Sequence, residues 1–479
     1  MVYTNLKRVI LAVVAASVLG LSGCDKGFDE MNIDPNQPTR VPAENLLTQA
    51  QLSLNQLFWG RAANAEFAML LVQHFAQNEY AEDSRYTMPA ANFDGIWNTA
   101  YAGGLNDLEV AKTIVENNEA ISDVVRANQI AVLEIMQVWA FHNLTDMFGD
   151  IPYSEALTDE PYPSYDPQSE IYPDLIRRLT EASAQIDPTA GSFSSGDNIY
   201  RGDMEQWRLL ANSLKLRIAM RMSDVNSSAA STAVAQAVAD GVIMTHAQAA
   251  TYEFDPQAAL ANPLYIDQVI NRRDDFSVSE TLLGYMQDEN DPRVSAYANP
   301  NVSGNYVGMP YGLTDAEAFA RKGNTSRPND ALRQQQSEAI IMGPVEVYFL
   351  LAEAAEKGYI SGDAAEYYTD ALELSMDYWG VSDAEATAYI AAHPYSSANW
   401  REVIGTQKWV ALYMQGLQAW AEWRRLDAPD LAFPAAADPS VSAIPVRAPY
   451  PAGEEGTNTE NLAAVGVNGL ATKMWWDVD

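Results

Sequence analysis

The sequence predicts a mainly α-helical protein, in which tetratricopeptide-like helix pairs form a scaffold, with an irregular loop-rich lobe and little β structure. Three observations predict this fold class. Apolar residues recur at three- and four-residue spacing through most of the chain, as one buried face of a helix requires. Two segments match a helix-pair repeat. One stretch, 243–340, is dense in Asn, Asp, Pro and Gly and has no sustained helical period.

The helical pattern begins after residue 42. Two early segments carry apolar residues at helical spacing: Leu46, Leu47, Ala50, Leu54, Leu57 and Phe58, followed by Phe67, Leu70, Leu71, His74 and Phe75. Further helices are predicted at 94–117, 123–148, 169–186, 203–223, 228–239, 344–358, 363–379, 382–392 and 399–426. Pro344 after Gly343, and Ser382 with Glu385, are typical of helix starts.

The repeat pattern is clearest near residue 350. The tetratricopeptide repeat places bulky and small residues at fixed spacing over two antiparallel helices. The chain has this spacing at Tyr348, Leu351, Ala352, Ala355, Ala364, Tyr368 and Ala371. Met376 stands where that repeat usually has proline. A second copy begins at Trp207, Leu210, Ala211 and Leu214. Small residues in such repeats let paired helices approach, and aromatic residues fill the space between pairs.

Composition changes along the chain predict five parts. They are a signal peptide (1–23), an extended tether (24–42), an N-terminal helical scaffold (43–242), an irregular lobe (243–340), and a C-terminal helical-pair scaffold with a tail (341–479). A long stretch without regular structure inside a compact protein is usually functional.

The N-terminus carries the pattern of an exported lipoprotein. Lys7 and Arg8 precede an apolar run that is too short to cross a bilayer, and Leu21-Ser22-Gly23 leads into Cys24. Cys24 is the only cysteine of the chain, so no internal disulfide can form. The pattern predicts acylation of Cys24 and a membrane anchor through its lipid. An ordinary signal peptide with an accidental cysteine is the alternative.

The charge balance argues against polyanionic partners. Lysine and arginine number 29 against 64 acidic residues, for a net charge of -35. Such a surface repels nucleic acid and anionic lipid headgroups.

No catalytic motif is present, and the sequence predicts a protein that is not an enzyme. It lacks an H-E-x-x-H zinc motif, a G-x-S-x-G elbow and a phosphate-cradling loop. His74 and His142 lie in apolar helical patterns and are predicted to be buried. The run 288–291 could offer oxygen ligands to calcium but lacks the spacing of a known loop, so no cofactor is predicted and a solvated helix end is favoured.

Several stretches together resemble the SusD/RagB family of outer-membrane lipoproteins of the Bacteroidetes type. The matching stretches are 34–36 (DPN), 93–101 (FDGIWNTAY), 147–157 (MFGDIPYSEAL), 207–217 (WRLLANSLKLR), 291–293 (DPR), 406–425 (TQKWVALYMQGLQAWAEWRR), 444–451 and 475–476. The resemblance implies a helical fold with tetratricopeptide units and a loop-rich ligand-binding lobe. It also implies a cell-surface nutrient-binding lipoprotein that passes glycans, without catalysis, to a SusC-type TonB-dependent β-barrel transporter in the outer membrane.

The same resemblance implies that ligand contacts come from two loop regions. The first holds Asn78, Tyr80, Asp83, Arg85 and Tyr86, and the second holds Asn305, Tyr306, Met309 and Tyr311. A weaker third cluster comprises Tyr265, Arg272, Asp275 and Phe276. Trp97 is a further candidate contact, although a hydrophobic anchor at a helix start is its alternative role. Amphipathic aromatic rings suit the apolar face of a sugar.

Other functions stay open at this point. A RagB-type peptide-binding uptake lipoprotein would show the same anchor and scaffold. A repeat scaffold that binds only protein and a glycoside hydrolase are the remaining alternatives. Sequence alone cannot support a hydrolase, because among 64 carboxylates some pair always lies at a glycosidase separation.

Overall fold

The computed structural model describes residues 41–466 and 469–478. The predictions for the signal peptide, for Cys24 and for the tether up to residue 40 lie outside these residues.

Long helices form the first half of the described chain. They are α1 (Ala43–Phe58), α2 (Asn106–Glu116), α3 (Asp123–Phe148), α4 (Gln168–Gln185), α5 (Met204–Arg221) and α6 (Ser227–Asp240). Between α1 and α2 the chain passes through two π-helical segments, Arg61–Ala68 and Thr99–Leu105, and two short α-helices, Met69–Leu71 and Asp94–Asn98. Capping explains several starts: the side chain of Ser122 accepts from Val125 N ahead of α3, and that of Asp203 accepts from Glu205 N ahead of α5.

The second half contains α7 (Glu280–Asp288), α8 (Asp315–Arg321), α9 (Pro344–Glu356), α10 (Ala364–Tyr378), α11 (Asp383–Ala392), α12 (Trp400–Ala411) and α13 (Gly416–Leu426). Pro344 lies in the first turn of α9, and Ser382 caps α11 by accepting from Glu385 N, as predicted. Short helices follow at Ala452–Thr457 and Thr459–Val465.

The single helix predicted over 399–426 is wrong, because a turn at 412–415 divides it into α12 and α13. Met414 adopts φ 72 in this turn. Asn64, on a distant segment, holds the break: its Oδ1 accepts from Gly416 N at 2.9 Å and its Nδ2 donates to Met414 O at 2.9 Å. A tertiary contact of this kind leaves no mark on local periodicity.

Consecutive helices pack as antiparallel pairs, and the mainly α fold class is confirmed. Helix α9 packs on α10, α5 on α6, and α3 on α4. In the α9–α10 pair, Ala352, Ala371 and Tyr368 are buried where the repeat pattern places them. Small residues at this contact let the two backbones approach closely.

Strands are short and pair only in twos within the described residues. β1 (Phe75–Gln77) pairs with β5 (Phe276–Val278), β2 (Ile151–Pro152) with β3 (Tyr165–Asp166), and β4 (Ala250–Tyr252) with β6 (Ala339–Met342), all antiparallel. The β4–β6 ladder joins the two ends of the irregular stretch. Within that stretch the helices α7 and α8, which the sequence pattern did not predict, break up the loops.

The core contains a network of buried charges, to which the motif stretch 406–425 contributes Lys408, Glu422 and Arg425. Glu422 accepts from Arg221 Nη2 at 2.9 Å, from Lys408 Nζ at 2.8 Å and from Arg425 Nη2 at 2.6 Å. Arg425 also pairs with Glu353. Burial alone would raise the pKa of Glu422, but Arg425, Lys408 and Arg221 together hold it well below its ordinary value. These pairs join α5, α9, α12 and α13.

Several tryptophans of the long helices lie in this core. Trp207, Trp409, Trp420 and Trp139 are buried, and Trp379 and Trp423 pack at its edge. Arg424 stacks on Trp420, with its guanidinium carbon 3.5 Å from the ring centroid. Most of these rings therefore serve stability.

The two histidines predicted to be buried are fully buried. His74 Nε2 lies 2.9 Å from Trp409 O, and burial lowers the pKa of His74 to about 3 despite that hydrogen bond. Burial likewise lowers the pKa of His142 to about 3, although Asp146 opposes the shift. Both rings are therefore neutral parts of the core at physiological pH.

No helix in the described ranges combines the length and apolarity needed to cross a membrane.

Candidate functional site

The loop regions predicted to bind ligand meet on one surface, although more than 200 residues separate them in the chain. Asn78 N donates to Asp275 O at 2.7 Å, which extends the β1–β5 ladder. Ala81 N donates to Asp315 Oδ1 at 2.6 Å, just beyond the second predicted loop. Lys322 Nζ lies 2.8 Å from Glu79 Oε2. We call the region formed by residues 61–66, 78–92, 265–276 and 304–315 the ligand surface.

Tyr80 is the most exposed aromatic residue of this surface. Its relative exposure is 61%, and its backbone adopts φ 53, a conformation that non-glycine residues seldom take. The guanidinium carbon of Arg273 lies 5.1 Å from the centroid of the Tyr80 ring. Backbone strain of this kind concentrates at functional sites, because the surrounding structure must hold it. The ring is thus presented to solvent in a fixed position.

An ion-pair network fixes the base of the ligand surface. Arg61 binds Asp275 at 2.6 Å and Asp267 at 2.7 Å, and it also pairs with Glu66. Asp275 is shared with Arg273, at 2.5 Å. The network therefore links the Tyr80–Arg273 stack to Glu66.

Two π-helical segments supply this network. Arg61 and Glu66 belong to Arg61–Ala68, and Asp267 belongs to Tyr265–Ile270. π-Helical turns are frequent at functional sites, because they direct side chains away from the faces of a regular α-helix.

A cleft of about 310 Å³ opens beside Glu66. Its wall comprises Ala62, Glu66, Phe67, Asp83, Met88, Asn92, Phe93 and Ile96. Two carboxylates and one amide thus face an otherwise apolar wall. Burial raises the pKa of Asp83 to about 6, and a hydrogen bond of 2.9 Å from Gln77 Nε2 opposes the rise. Phe67, Phe93 and Ile96 are almost fully buried, so the part of the wall that a ligand can reach is mainly polar.

Three of the predicted contacts in the loops are buried behind this surface. Asn78 Nδ2 donates to Ser277 Oγ at 3.1 Å, and Met309 lies beside Ser279 in a parallel bridge. Tyr86, at φ 66, packs its ring on Tyr311 and has 1% relative exposure. These side chains hold the loops together, so the prediction that they contact ligand is corrected to a supporting role.

Trp97 is also buried, at 6% relative exposure. Its ring packs edge-on against Phe148 at 5.1 Å and against Tyr450, and it stacks on Tyr165. Trp97 is therefore the hydrophobic anchor that was its alternative role, and the prediction of a ligand contact is corrected.

Other predicted residues keep solvent-facing area. Asn305 is exposed, and Tyr306 and Tyr311 are half-buried. Arg85 is half-buried and donates to Ala81 O at 3.3 Å. These residues remain predicted contacts.

The weaker third cluster is split by the structure. Tyr265 is half-buried and Arg272 exposed, whereas Asp275 and Phe276 are buried under the surface.

Sequence reasoning missed Glu66, Asn92 and Arg273. Glu66 lies in a segment with a helical apolar pattern, and a charged residue in such a segment ordinarily belongs to the solvent-exposed face of the helix. Gly60, just before this segment, was the one available signal of an irregular turn. Asn92 is an exposed residue before a predicted helix, and nothing in its spacing marks it.

The possible calcium ligands prove to have other roles. Asp291 is buried in an ion pair with Arg293 at 2.6 Å. No group of three or more potential metal ligands occurs in the part of the chain that the structure describes.

A family model described as "Starch-binding associating with outer membrane" matches residues 35–451, most of the chain. The chain belongs to the SusD-like family. This confirms the resemblance inferred from the motifs. Members are binding proteins and not enzymes, and the family is associated with the outer membrane.

Solved structures share the fold of this SusD-like protein. A chitin-binding protein superposes with a TM-score of 0.83 at 28% identity, covering 91% of this chain and 100% of that chain. A SusD homologue from Bacteroides uniformis has a TM-score of 0.77 at 26% identity, covering 91% and 99%. A chitin-binding SusD homologue from Flavobacterium johnsoniae, at 23% identity and a TM-score of 0.80 with 91% and 99% covered, shows the fold alone. No curated protein matches the sequence.

Proposed function

We propose that this SusD-like protein captures oligosaccharides at the ligand surface and does not cleave them. The observation that carries the proposal is the presentation of Tyr80: an exposed ring at positive φ, braced by Arg273, at the point where distant loops converge. The family description as starch-binding supports a glycan as the ligand.

The chemistry of the surface suits a sugar chain. The C–H face of a sugar ring packs on an aromatic face such as Tyr80, while its hydroxyls need planar polar partners. Glu66, Asp83 and Asn92 offer two carboxylates and an amide along the cleft. Charged acceptors make the stronger hydrogen bonds to hydroxyl donors. One sugar unit on Tyr80 and a neighbouring unit in the cleft would use both features.

Two of the comparisons that name a ligand support the proposed glycan class. The family is described by starch binding, and the structure at 28% identity is that of a chitin-binding protein. Met88, which is half-buried in the wall of the cleft, offers an apolar contact to the methyl of an N-acetyl group. Chito-oligosaccharides are therefore the first probe, malto-oligosaccharides the second, and peptides the alternative ligand.

Capture is the first step of uptake in this proposal. Acylated Cys24 anchors the protein on the outer face of the outer membrane, and a SusC-type TonB-dependent barrel receives the glycan. Tethering beside the barrel raises the effective concentration of captured ligand. Recovery of the protein only from soluble fractions, with no acyl group on Cys24 and no barrel co-purifying, would contradict this part.

Replacing Tyr80 with Ala should weaken binding of chitohexaose or maltoheptaose about two- to tenfold, because a stacking contact with an aromatic ring contributes about 0.5–1.5 kcal/mol. Isothermal titration calorimetry measures the affinity. Tyr162 offers a matched control: its relative exposure is 60%, and it lies outside the ligand surface in the β2–β3 loop. The Tyr162→Ala variant should bind like the wild type. Equal losses in both variants, or none in Tyr80→Ala, would overturn the assignment of Tyr80.

Glycan affinity should fall as the pH drops below about 6. Asp83 is ionised above its raised pKa of about 6 and protonated below it, so its charge-assisted hydrogen bond to a sugar hydroxyl is lost on acidification. Titrations between pH 5 and 8 should show this decrease for the wild type and a flat profile for Asp83→Asn. A profile that keeps its decrease in Asp83→Asn would assign the titration to another group.

A further inference from the structure

A second cavity, of about 290 Å³, lies between α10, the stretch before α9 and the turn that separates α12 from α13. It shares no lining residue with the cleft of the ligand surface. Four aromatic residues contribute to its wall: Trp59, Tyr378, Trp379 and Tyr413. Tyr378 is 40% exposed and lies at the mouth, while Trp59 and Tyr413 are buried at 8% and 1%. The cavity is thus open at one end and aromatic along its depth.

The rings meet at angles that enclose space. Tyr378 and Trp379 are edge to face, at an interplanar angle of 88° and a centroid distance of 5.1 Å. Tyr413 lies 6.2 Å from Trp379 at 52°. Tyr378 and Trp379 are therefore packed against each other, and a cation in the cavity would contact the ring faces that this packing leaves free.

No lysine or arginine side chain of the described residues lies over any of these four rings, whereas such a contact occurs at several other rings. Arginine or lysine side chains lie over rings elsewhere, as Arg424 does over Trp420 and Arg273 over Tyr80. Among the described residues, none lies over Trp59, Tyr378, Trp379 or Tyr413. Part of this ring area is used otherwise: Tyr413 stacks on Tyr297 at a centroid distance of 4.3 Å, Trp379 lies 4.6 Å from Tyr297, and the His246 ring lies 5.8 Å from that of Tyr378. The area of Trp59 and Tyr378 that remains free in the cavity is what a ligand cation can contact.

One polar group of the cavity is an acceptor that has no donor among the described residues. Gln415 Oε1 is buried and has no hydrogen-bond partner within the described residues. Gln415 directly follows Met414, which has φ 72 in the turn after α12. This turn places Gln415 in the wall of the cavity. A buried acceptor without a donor is costly, and a ligand that donates a hydrogen bond would remove that cost.

The charges of the wall are negative. Glu338 accepts from the Tyr378 hydroxyl at 3.3 Å, and Glu346 is paired with Arg217 at 2.6 Å. No lysine or arginine of the described chain lines the cavity, and His246 is its one basic residue. Glu338 is therefore the carboxylate that can face a cation, and an anionic ligand would be repelled.

We propose that this cavity binds a small organic cation of the alkylammonium class. The cation would lie among Tyr378, Trp379 and Trp59, with Glu338 as its counter-charge, and a hydroxyl or N–H of the ligand would donate to Gln415 Oε1. Aromatic faces with a nearby carboxylate recognise such cations by charge and π contact together. This site is independent of the proposed glycan capture.

Choline and its neutral isostere 3,3-dimethylbutan-1-ol test the proposal, because they share shape and hydroxyl and differ in charge. We expect calorimetry on the purified full chain to show saturable choline binding, at least about fivefold tighter than binding of the alcohol, the factor that a cation–π contact supplies. Glu338→Gln keeps the acceptor for Tyr378 and removes the charge. It should weaken choline binding about threefold or more while leaving the alcohol unchanged, as expected for a nearby counter-charge.

Two further variants separate local from general effects. Glu373 lies exposed on α10, the same helix as Tyr378, and does not line the cavity, so Glu373→Gln has the same effect on net charge and should not change choline binding. Tyr378→Leu, at a 40% exposed position that tolerates substitution, should weaken choline binding as well. Equal affinities for choline and the alcohol, equal losses in both glutamate variants, or no saturable choline binding would overturn the proposal.

Discussion

Replacing Glu422 with Gln should lower the free energy of unfolding by about 3–5 kcal/mol, the cost of breaking a buried ion pair from one side. Glu422 is 3% exposed and is the shared partner of Arg221, Lys408 and Arg425. The amide keeps the shape of the carboxylate but leaves buried cations without their counter-charge. Urea denaturation at pH 7 measures the loss. Because the three cations hold the pKa of Glu422 below its ordinary 4.5, the stabilisation is present above pH 4.5 and decreases as the pH falls further.

Two variants control this result. Glu402 is exposed on α12, and Glu402→Gln should change stability by less than about 0.5 kcal/mol, as is usual for surface substitutions. Adding Lys408→Met to Glu422→Gln removes one stranded cation and should recover part of the loss, since neighbouring effects in one network are not additive. A loss below about 1 kcal/mol in Glu422→Gln would show that the network contributes little to stability.

Replacing Gly308 with Ala should lower the free energy of unfolding by about 3 kcal/mol, at the upper end of overpacking effects. A Cβ at this position would lie 2.3 Å from Glu280 Cα and 2.6 Å from Glu280 N. Both are backbone atoms, so the loop 304–312 has to move. That movement would break the hydrogen bond of 2.8 Å from Glu280 N to Met309 O and displace Tyr306 and Tyr311. Thermal denaturation and glycan titration of the same variant measure the two effects.

Gly284, in α7 of the same lobe, is the matched control. A Cβ there meets no atom within 4 Å, so Gly284→Ala should raise stability by about 0.5–1 kcal/mol. A Gly308→Ala variant as stable as the wild type would show that the loop relaxes without cost.

Local chemistry explains which parts of the fold could be predicted. The helix α3 was predicted at 123–148 and extends over Asp123–Phe148, because a capping serine and an apolar pattern fix both ends. The helix predicted over 399–426 is broken, because Asn64 holds the turn from a distant segment. The buried charges were not predicted as a network, because charged residues on the solvent-exposed face of a helix have the same spacing.

The ligand surface was predicted by region better than by residue. Burial decided the difference: Tyr80 is exposed, whereas Tyr86, six residues later, is buried at 1%. Both tyrosines have positive φ, so the local backbone does not distinguish them. The orientation of each ring depends on packing partners, such as Phe433 beside Tyr86, which are remote in sequence.

The link between Asn64 and Gly416 has a consequence for biogenesis. The two residues are 352 positions apart, and Trp409 Nε1 donates to Val72 O across 337. Loop closure over such lengths comes late in folding, and it cannot begin before the C-terminal third of the polypeptide has been made. Polypeptides that end before α13 would therefore leave the loops of the ligand surface without this support, so ligand affinity would report on completion of synthesis as well as on loop chemistry.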